Sequence, residues 1–233
     1  MLIGICGSIG SGKDTVAQYL CDSREFARIS IAGSLKDATS VLFGWDRDML
    51  EGKTKESREQ RELPDPFWTE KLGRDFSPRH ALQLLGTDLF RDNLHPDIWV
   101  FAAEHKLNQL KSTNVVISDI RFPNEINMIR RRGGKIWWVY RTPFPEWWEY
   151  ALETNKSIAA NSTSMPTEWI LRDKGIHMGV KFPEIHYSEW AWIRDDYDCV
   201  LENNESLASL YSKVEDILSD DPRYNFRMDG EVY

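Results

Sequence analysis

The sequence predicts an α/β protein: a five-stranded parallel sheet with helices on both faces. Three observations lead there. Short apolar runs alternate with helical patterns along the chain, and short connections between such elements favour parallel strands covered by helices. The first apolar run, LIGIC at 2–6, opens directly into the glycine-rich turn GSIGSGK and then a helical pattern. The length of 233 residues is enough for a sizeable core.

The elements follow in order. Residues 2–6 form the first strand, and 13–20 a helix with Val16, Ala17 and Leu20 on one face. FARISIA (26–32) is strand-like, and Ser34 is placed to cap a helix reaching 43. Residues 52–77 are polar and charged, carry Pro64 and Pro66, and read as a mobile connector. SPRHALQLLGTDLFRD starts a helix at Pro78, with the proline in its first turn. Residues 97–110 make another, apolar at Val100, Phe101, Ala103 and Leu107. VVIS (115–118) is a buried strand, 123–132 a helix ended by Gly133 and Gly134, and IWWVY (136–140) a strand. From 142 to 196 the regular pattern breaks down, in a stretch holding Trp147, Trp148, Trp169, Trp190 and Trp192. DCVL (198–201) is the last strand and 205–218 the closing helix, followed by a polar tail that reads as loosely held. The expected organisation is one domain over 1–233 with two inserts, 45–77 on the acceptor side and 142–196 as a lid.

Composition excludes several classes. A net charge of −8 opposes broad nucleic-acid binding, which needs excess Lys and Arg, so the tryptophans read as core and not as base-stacking platforms. No run reaches the roughly 18 apolar residues of a membrane helix, and the N-terminus has no basic segment before its apolar stretch. Cys6, Cys21 and Cys199 are odd in number, with no C-x-x-C, which points to a reducing cytoplasm. His177 and His186 have no cysteine partner and suggest no metal site. The Arg130–Arg132 triplet reads as a charge cluster at a helix C-terminus.

Gly7, four residues, Gly12 and Lys13 match a phosphate-binding loop, and the required strand before and helix after are both present. Glycines let the backbone of Gly7, Ser8, Gly10, Ser11 and Gly12 wrap phosphates with its N–H groups inward, and the helix that follows points its positive end at the anion. Lys13 adds a point charge on the β and γ phosphates. Asp14 stands where Ser or Thr is usual, with Thr15 one place later. Thr15 is expected to supply the hydroxyl near the metal. Asp14 suits the helix dipole and is expected to point away, although which of the two lies nearer the metal stays open.

A second cluster spreads over two stretches. Arg79, Gln83 and Thr87 are spaced by four on the helix from Pro78, with Gly86 and Asp88 near its end. Arg79 offers a fork for phosphate, and Gln83 an amide for a base edge; an ordinary exposed polar face is the alternative. VVISD puts Asp119 at the carboxyl end of a buried strand, the place of a metal-assisting carboxylate. Arg121 follows beside the same crevice, either to grip a phosphate or to pair with Glu125 on the next turn.

These stretches resemble the bacteriophage deoxynucleoside monophosphate kinases. The matching pieces, in family order, are GSIGSGKDT, AGSLKDA (32–38), RHALQLLGTD, SDIRFPNE, and HYSE (186–189) before DCVLENN. The family loop also reads G-K-D-T, so Asp14 is a family feature. The likeness is poor across 45–77 and 142–185. It implies a P-loop kinase fold and transfer of the γ-phosphoryl group of ATP, with Mg²⁺, to a deoxynucleoside monophosphate (dNMP). The substrate contacts that carry over are Lys36, Arg79, Gln83, Asp119 and Arg121; Asp88 and Glu125 are added as candidates on the same side. Thr15 and Asp119 become the metal residues, and Lys13, Arg79, Asp119 and Arg121 the catalytic set. Fold analogy places Asn203 and Asn204 near the adenine. The expected partners are dNMP and ATP, with no nucleic acid or membrane, and a homodimer stays open. Two other readings remain: a different small-molecule kinase such as dephospho-coenzyme A kinase, whose loop often reads GGIGSGK, and a P-loop switch that hydrolyses ATP slowly.

Overall fold

The computed structural model describes residues 1–111, 114–160, 178 and 181–220. Trp169, His177 and the tail after 220 lie outside the described residues. In chain order the elements are β1 (Leu2–Cys6), α1 (Lys13–Arg24), β2 (Ala27–Ile29), α2 (Gly33–Phe43), α3 (Arg47–Glu51), α4 (Lys55–Glu62), α5 (Pro66–Leu72) and α6 (Pro78–Gln83). A π-helical turn (Leu84–Leu89), α7 (Phe90–Asn93), α8 (Ile98–Gln109), β3 (Val115–Ile117), α9 (Pro123–Arg131) and β4 (Lys135–Tyr140) follow. The chain continues through α10 (Trp148–Ala160), a 3₁₀ turn (Tyr187–Glu189), β5 (Cys199–Glu202) and α11 (Leu207–Ser219). It divides into two compact units, one made of Met1–Arg28 and Lys111–Tyr233, the other of Ile29–Leu110.

The first unit carries the five-stranded parallel sheet, in the order β2-β3-β1-β4-β5. β1 pairs in parallel with β3 on one side (Gly4 opposite Ile117) and with β4 on the other (Ile5 opposite Trp137). The order reverses at β1, so the turn after β1 opens at the switch point, where ligands of open α/β sheets collect. Strand alternation sends Ile3, Ile5, Trp137 and Val139 to one face, against Val16, Ala17 and Leu20 of α1 and Leu210, Val214 and Leu218 of α11. On the opposite face Ile129 of α9 packs directly over Gly4. Helices therefore cover both faces.

The stretch 142–196, which has no clear periodicity, contains a full helix. In α10 the inward positions are Trp148, Ala151 and Thr154, and a buried threonine among polar neighbours hides the apolar stripe. Next to it, the amide of Asn155 donates to the carbonyls of Trp190 and Ile193, both at 2.8 Å. Trp148 stacks on Trp138, which also stacks on Tyr197. Trp190 and Trp192 are buried. These tryptophans are core. Arg130 does more than end a helix: it pairs with Asp196 and ties α9 to the approach to β5.

In the second unit, 52–77 is not a bare connector but two short helices. Thr54 and Ser57 exchange capping bonds at the start of α4. Asp65 caps α5 by accepting from Trp68 N at 2.9 Å, with Pro66 as the first helical residue. KESREQRE in α4 has no apolar stripe to read, because capping and its neighbours hold it rather than burial. Phe43, Trp45, Trp68 and Phe76 pack as an aromatic group on the core of this unit. The helix from Pro78 is not uniform, since Leu84–Leu89 widens into a π turn. There the Gly86 carbonyl accepts from the Trp99 indole at 2.9 Å. Ser34 lies inside the first turn of α2, not at its cap. A backbone turn, Gly33 N to Ser30 O at 3.2 Å, leads into that helix instead.

An ion network stiffens this unit. Glu51 accepts from Lys36 at 2.8 Å and from Arg47 at 2.7 Å, and Arg47 also reaches Asp37. Burial pushes the Glu51 carboxyl up, but the bonds and charges of Lys36 and Arg47 outweigh it and hold it at about 2. A carboxyl lowered on folding stabilises above its unfolded value and loses that contribution as pH falls through its folded value. Glu51→Gln is therefore expected to cost ~1–2 kcal/mol at neutral pH. The gap from the unaltered protein should close as pH drops from 4.5 towards 2. Thermal melts of both proteins across that range check this, and a gap independent of pH would contradict it.

Candidate phosphate-binding and transfer site

The turn between β1 and α1 is shaped by its glycines. A Cβ on Gly7 would lie 2.2 Å from the Val139 carbonyl oxygen, so only glycine lets the loop pass over β4. Gly12 has φ +102° and packs against Asn203, whose Nδ2 would sit 2.2 Å from an added Cβ. Asn203 is buried and donates to the Ser11 carbonyl at 2.8 Å. It stands just after β5 and braces the loop from below. Asn204 is spent elsewhere, accepting from Thr142 N at 2.9 Å.

Lys13 opens α1 and curls back to donate to the Ser8 carbonyl at 3.1 Å. Burial lowers its pKa; Asp14 and Glu189 oppose that and Arg121 adds to it. Lys13, Arg121 and Glu189 thus share one electrostatic neighbourhood at the loop. Ser11 Oγ is buried and has no hydrogen-bond partner. A buried hydroxyl left unpaired is costly, and an anion in the loop would satisfy it.

Asp14 turns towards the neighbouring strands. Its carboxylate pairs with Arg28 and accepts from Ser118 Oγ at 3.1 Å, while Arg28 also donates to Ser118 at 2.6 Å. Arg28 and Ser118 escaped the sequence reading. A lone arginine in FARISIA carries no motif, and Ser118 reads as the end of a strand. Asp119 stands two residues past the end of β3 and is half-buried. Thr15 is half-buried on the first turn of α1.

Arg121 and Glu125 are linked differently from a simple ion pair. Glu125 is buried and takes the backbone N–H groups of Arg121 at 2.7 Å and Phe122 at 3.1 Å. It caps α9 and fixes the chain at Arg121. The guanidinium turns away and meets Glu189 at 2.5 Å. Glu189, in HYSE, had no assigned role from sequence; only the fold brings it to Arg121.

The second unit holds the other candidates. Lys36 is committed to Glu51. Arg79, Gln83 and Asp88 are exposed along α6 and the π turn. Near them is an arginine the sequence reading missed. Arg61 donates to the Leu50 carbonyl at 3.2 Å and lies flat over Gly52, yet its Nε is buried without a partner. Burial lowers its pKa, and the charge of Arg79 lowers it further. Glu62 and Glu51 oppose that shift in part, and the two guanidinium groups together suit an anion. Its position in the poorly matching insert hid Arg61 from motif reading.

Among the described residues no cluster of three or more His, Cys, Asp and Glu could hold a metal, and no helix is long and apolar enough to cross a membrane. The oxygens of Thr15 and Asp119 suit Mg²⁺, which takes one or two protein ligands and completes its shell with water and phosphate.

Comparison with known proteins adds a family. The profile of the deoxynucleotide monophosphate kinases matches residues 67–149. A protein of Acanthamoeba polyphaga mimivirus, provisionally named deoxynucleotide monophosphate kinase, is 31% identical over 225 residues, 92% of this chain and 94% of that protein. The deoxynucleoside-5′-monophosphate kinase of Escherichia phage T5 is 29% identical over 183 residues, 56% of this chain and 72% of that enzyme. Among solved structures, shikimate kinase from Aquifex aeolicus aligns over 99% of this chain and 100% of that one at 16% identity, with a TM-score of 0.39.

Proposed function

The chain belongs to the deoxynucleotide monophosphate kinase family, and from that premise we propose that it moves the γ-phosphoryl group of ATP onto the 5′-phosphate of a dNMP. What carries this reading is the family likeness over 92% of the chain, joined to a glycine loop whose buried Ser11 hydroxyl lacks a partner. Phosphoryl transfer asks mainly for positioning and charge compensation. The loop from Gly7 to Gly12 wraps the donor phosphates with its N–H groups, braced by Asn203. Lys13 supplies the point charge on them. Arg121 grips the acceptor phosphate and offsets the charge that builds as two anions approach. Lys36, Arg79, Gln83 and Asp88 are proposed as acceptor contacts, with Arg61 added beside Arg79; Glu125 serves by fixing Arg121. No general base is needed, because the acceptor phosphate is already an anion. Mg²⁺ held by Thr15 and Asp119 would neutralise phosphate charge. Asp14, held by Arg28 and Ser118, supports the first turn of α1 from the side of the neighbouring strands. The insert 142–196 is proposed as the lid side and 45–77 as the acceptor side of one kinase domain. We place the enzyme in the cytoplasm, acting on free nucleotides and not on nucleic acid or membranes.

The test is ADP formation from ATP with each common and modified dNMP, dephospho-coenzyme A, and no acceptor. ADP is expected only with deoxynucleoside monophosphates. Release with dephospho-coenzyme A alone would support the other small-molecule kinase. Release without any acceptor would support the switch.

A further inference from the structure

HYSE is a stretch of this chain to which the proposed chemistry gives no part. The structure places its glutamate on Arg121. One nitrogen of that guanidinium, Nη1, meets Glu189 Oε1 at 2.5 Å and the Ser188 carbonyl at 3.4 Å. The Nε and Nη2 nitrogens make no hydrogen bond within the described residues. They form one edge of the planar fork, the edge that receives two phosphate oxygens side by side.

Glu189 sits on a firm base. His186 Nδ1 accepts from Ser188 N at 3.2 Å, and Glu189 N donates to the His186 carbonyl at 2.9 Å, which closes the 3₁₀ turn. Directly after it, Trp190, Ala191, Trp192 and Ile193 are all buried. Tyr187 packs edge-on against Trp190 and touches Phe122, the neighbour of Arg121. On the other side, Glu125 holds the Arg121 backbone. The guanidinium is therefore anchored at both its root and its tip.

We propose that Glu189 is the positioning residue for Arg121: it holds Nη1 so that the Nε–Nη2 edge faces an incoming phosphoryl group. A long arginine side chain loses much rotamer freedom when it must be ordered by its ligand. One already tethered loses less at that moment. The carboxylate also leaves Lys13 and Arg121 with a counter-charge before phosphate arrives, which limits their mutual repulsion.

The proposal rests on the kinase reading for Arg121, so its test has two readouts. In steady-state kinetics, Glu189→Ala is expected to lower kcat about 10-fold and raise the dNMP KM several-fold, with the melting temperature little changed. Glu189→Gln keeps an acceptor oxygen and should recover most of the loss. On an Arg121→Ala background, Glu189→Ala should add less than about 2-fold, because it acts through the residue already removed. The second readout needs no catalysis: calorimetric binding of inorganic tripolyphosphate. Glu189→Ala is expected to weaken it about 5-fold, again with no further effect once Arg121 is gone. Unchanged or tighter tripolyphosphate binding would overturn the proposal, since Glu189 would then be idle or a competitor of phosphate. Additive losses with Arg121→Ala, or a matching fall in stability, would also overturn it. If the unaltered protein forms no ADP with any dNMP yet the tripolyphosphate coupling holds, the kinase reading fails and the positioning role stands.

Discussion

Lys13→Ala is expected to lower turnover at least ~100-fold, which corresponds to a barrier higher by about 3 kcal/mol. Lys13 carries the one cationic side chain of the loop, and the remaining loop groups are backbone N–H dipoles. Charge in a half-buried site is worth more than charge in water, because screening is weaker there. Its lowered pKa has the same origin: burial strips water from the ammonium, and the nearby Arg121 adds to the cost. A phosphate chain between the two cations would reverse that cost. The fold should tolerate the change. Lys13 makes its hydrogen bond to the Ser8 carbonyl and does not belong to the apolar cluster that seats α1 on the sheet. ADP release at saturating dNMP, with melting curves alongside, decides the matter. Near-normal turnover in a stable variant would remove the phosphate-loop reading.

The second large effect separates two residues that stand two places apart. Asp119→Asn keeps size and hydrogen bonding but removes the charge. It is expected to lower kcat by about 100-fold or more with a modest change in the dNMP KM, since the acceptor still binds while the transfer geometry is poorly held. Arg121→Lys should fail differently. Lysine can keep the single contact to Glu189 but has no second edge for phosphate. The dNMP KM should rise and kcat fall, with the ATP KM near normal. The rival role for Arg121, a side-chain pair with Glu125, does not match the structure, where Glu125 is occupied by backbone N–H groups and the guanidinium meets Glu189. A purely structural Arg121 would show a lower melting temperature with both KM values unchanged. Steady-state kinetics on the two variants, with melts, distinguishes the patterns.

The sequence by itself determined the sheet and the loop. LIGIC, VVIS and IWWVY are apolar enough to be buried on both faces, and such strands need little help from context to be recognised. The loop is equally local: Gly7, Gly12 and Lys13 must be close in sequence to wrap one phosphate chain, so their spacing reveals them. Elements held by caps or by distant partners were not legible. Helix α4 has no apolar stripe and rests on Thr54 and Ser57; helix α10 hides its buried face behind Thr154 and Asn155. The tertiary structure also decided what the charged residues face. It turned Asp14 to Arg28 and Ser118, set Arg61 beside Arg79 on its own unit, and brought Glu189 to an arginine 68 positions earlier. Which carboxylate neutralises which cation depends on how strands and turns converge in space. No spacing rule along the chain encodes that, because the partners share neither a helix face nor a strand register.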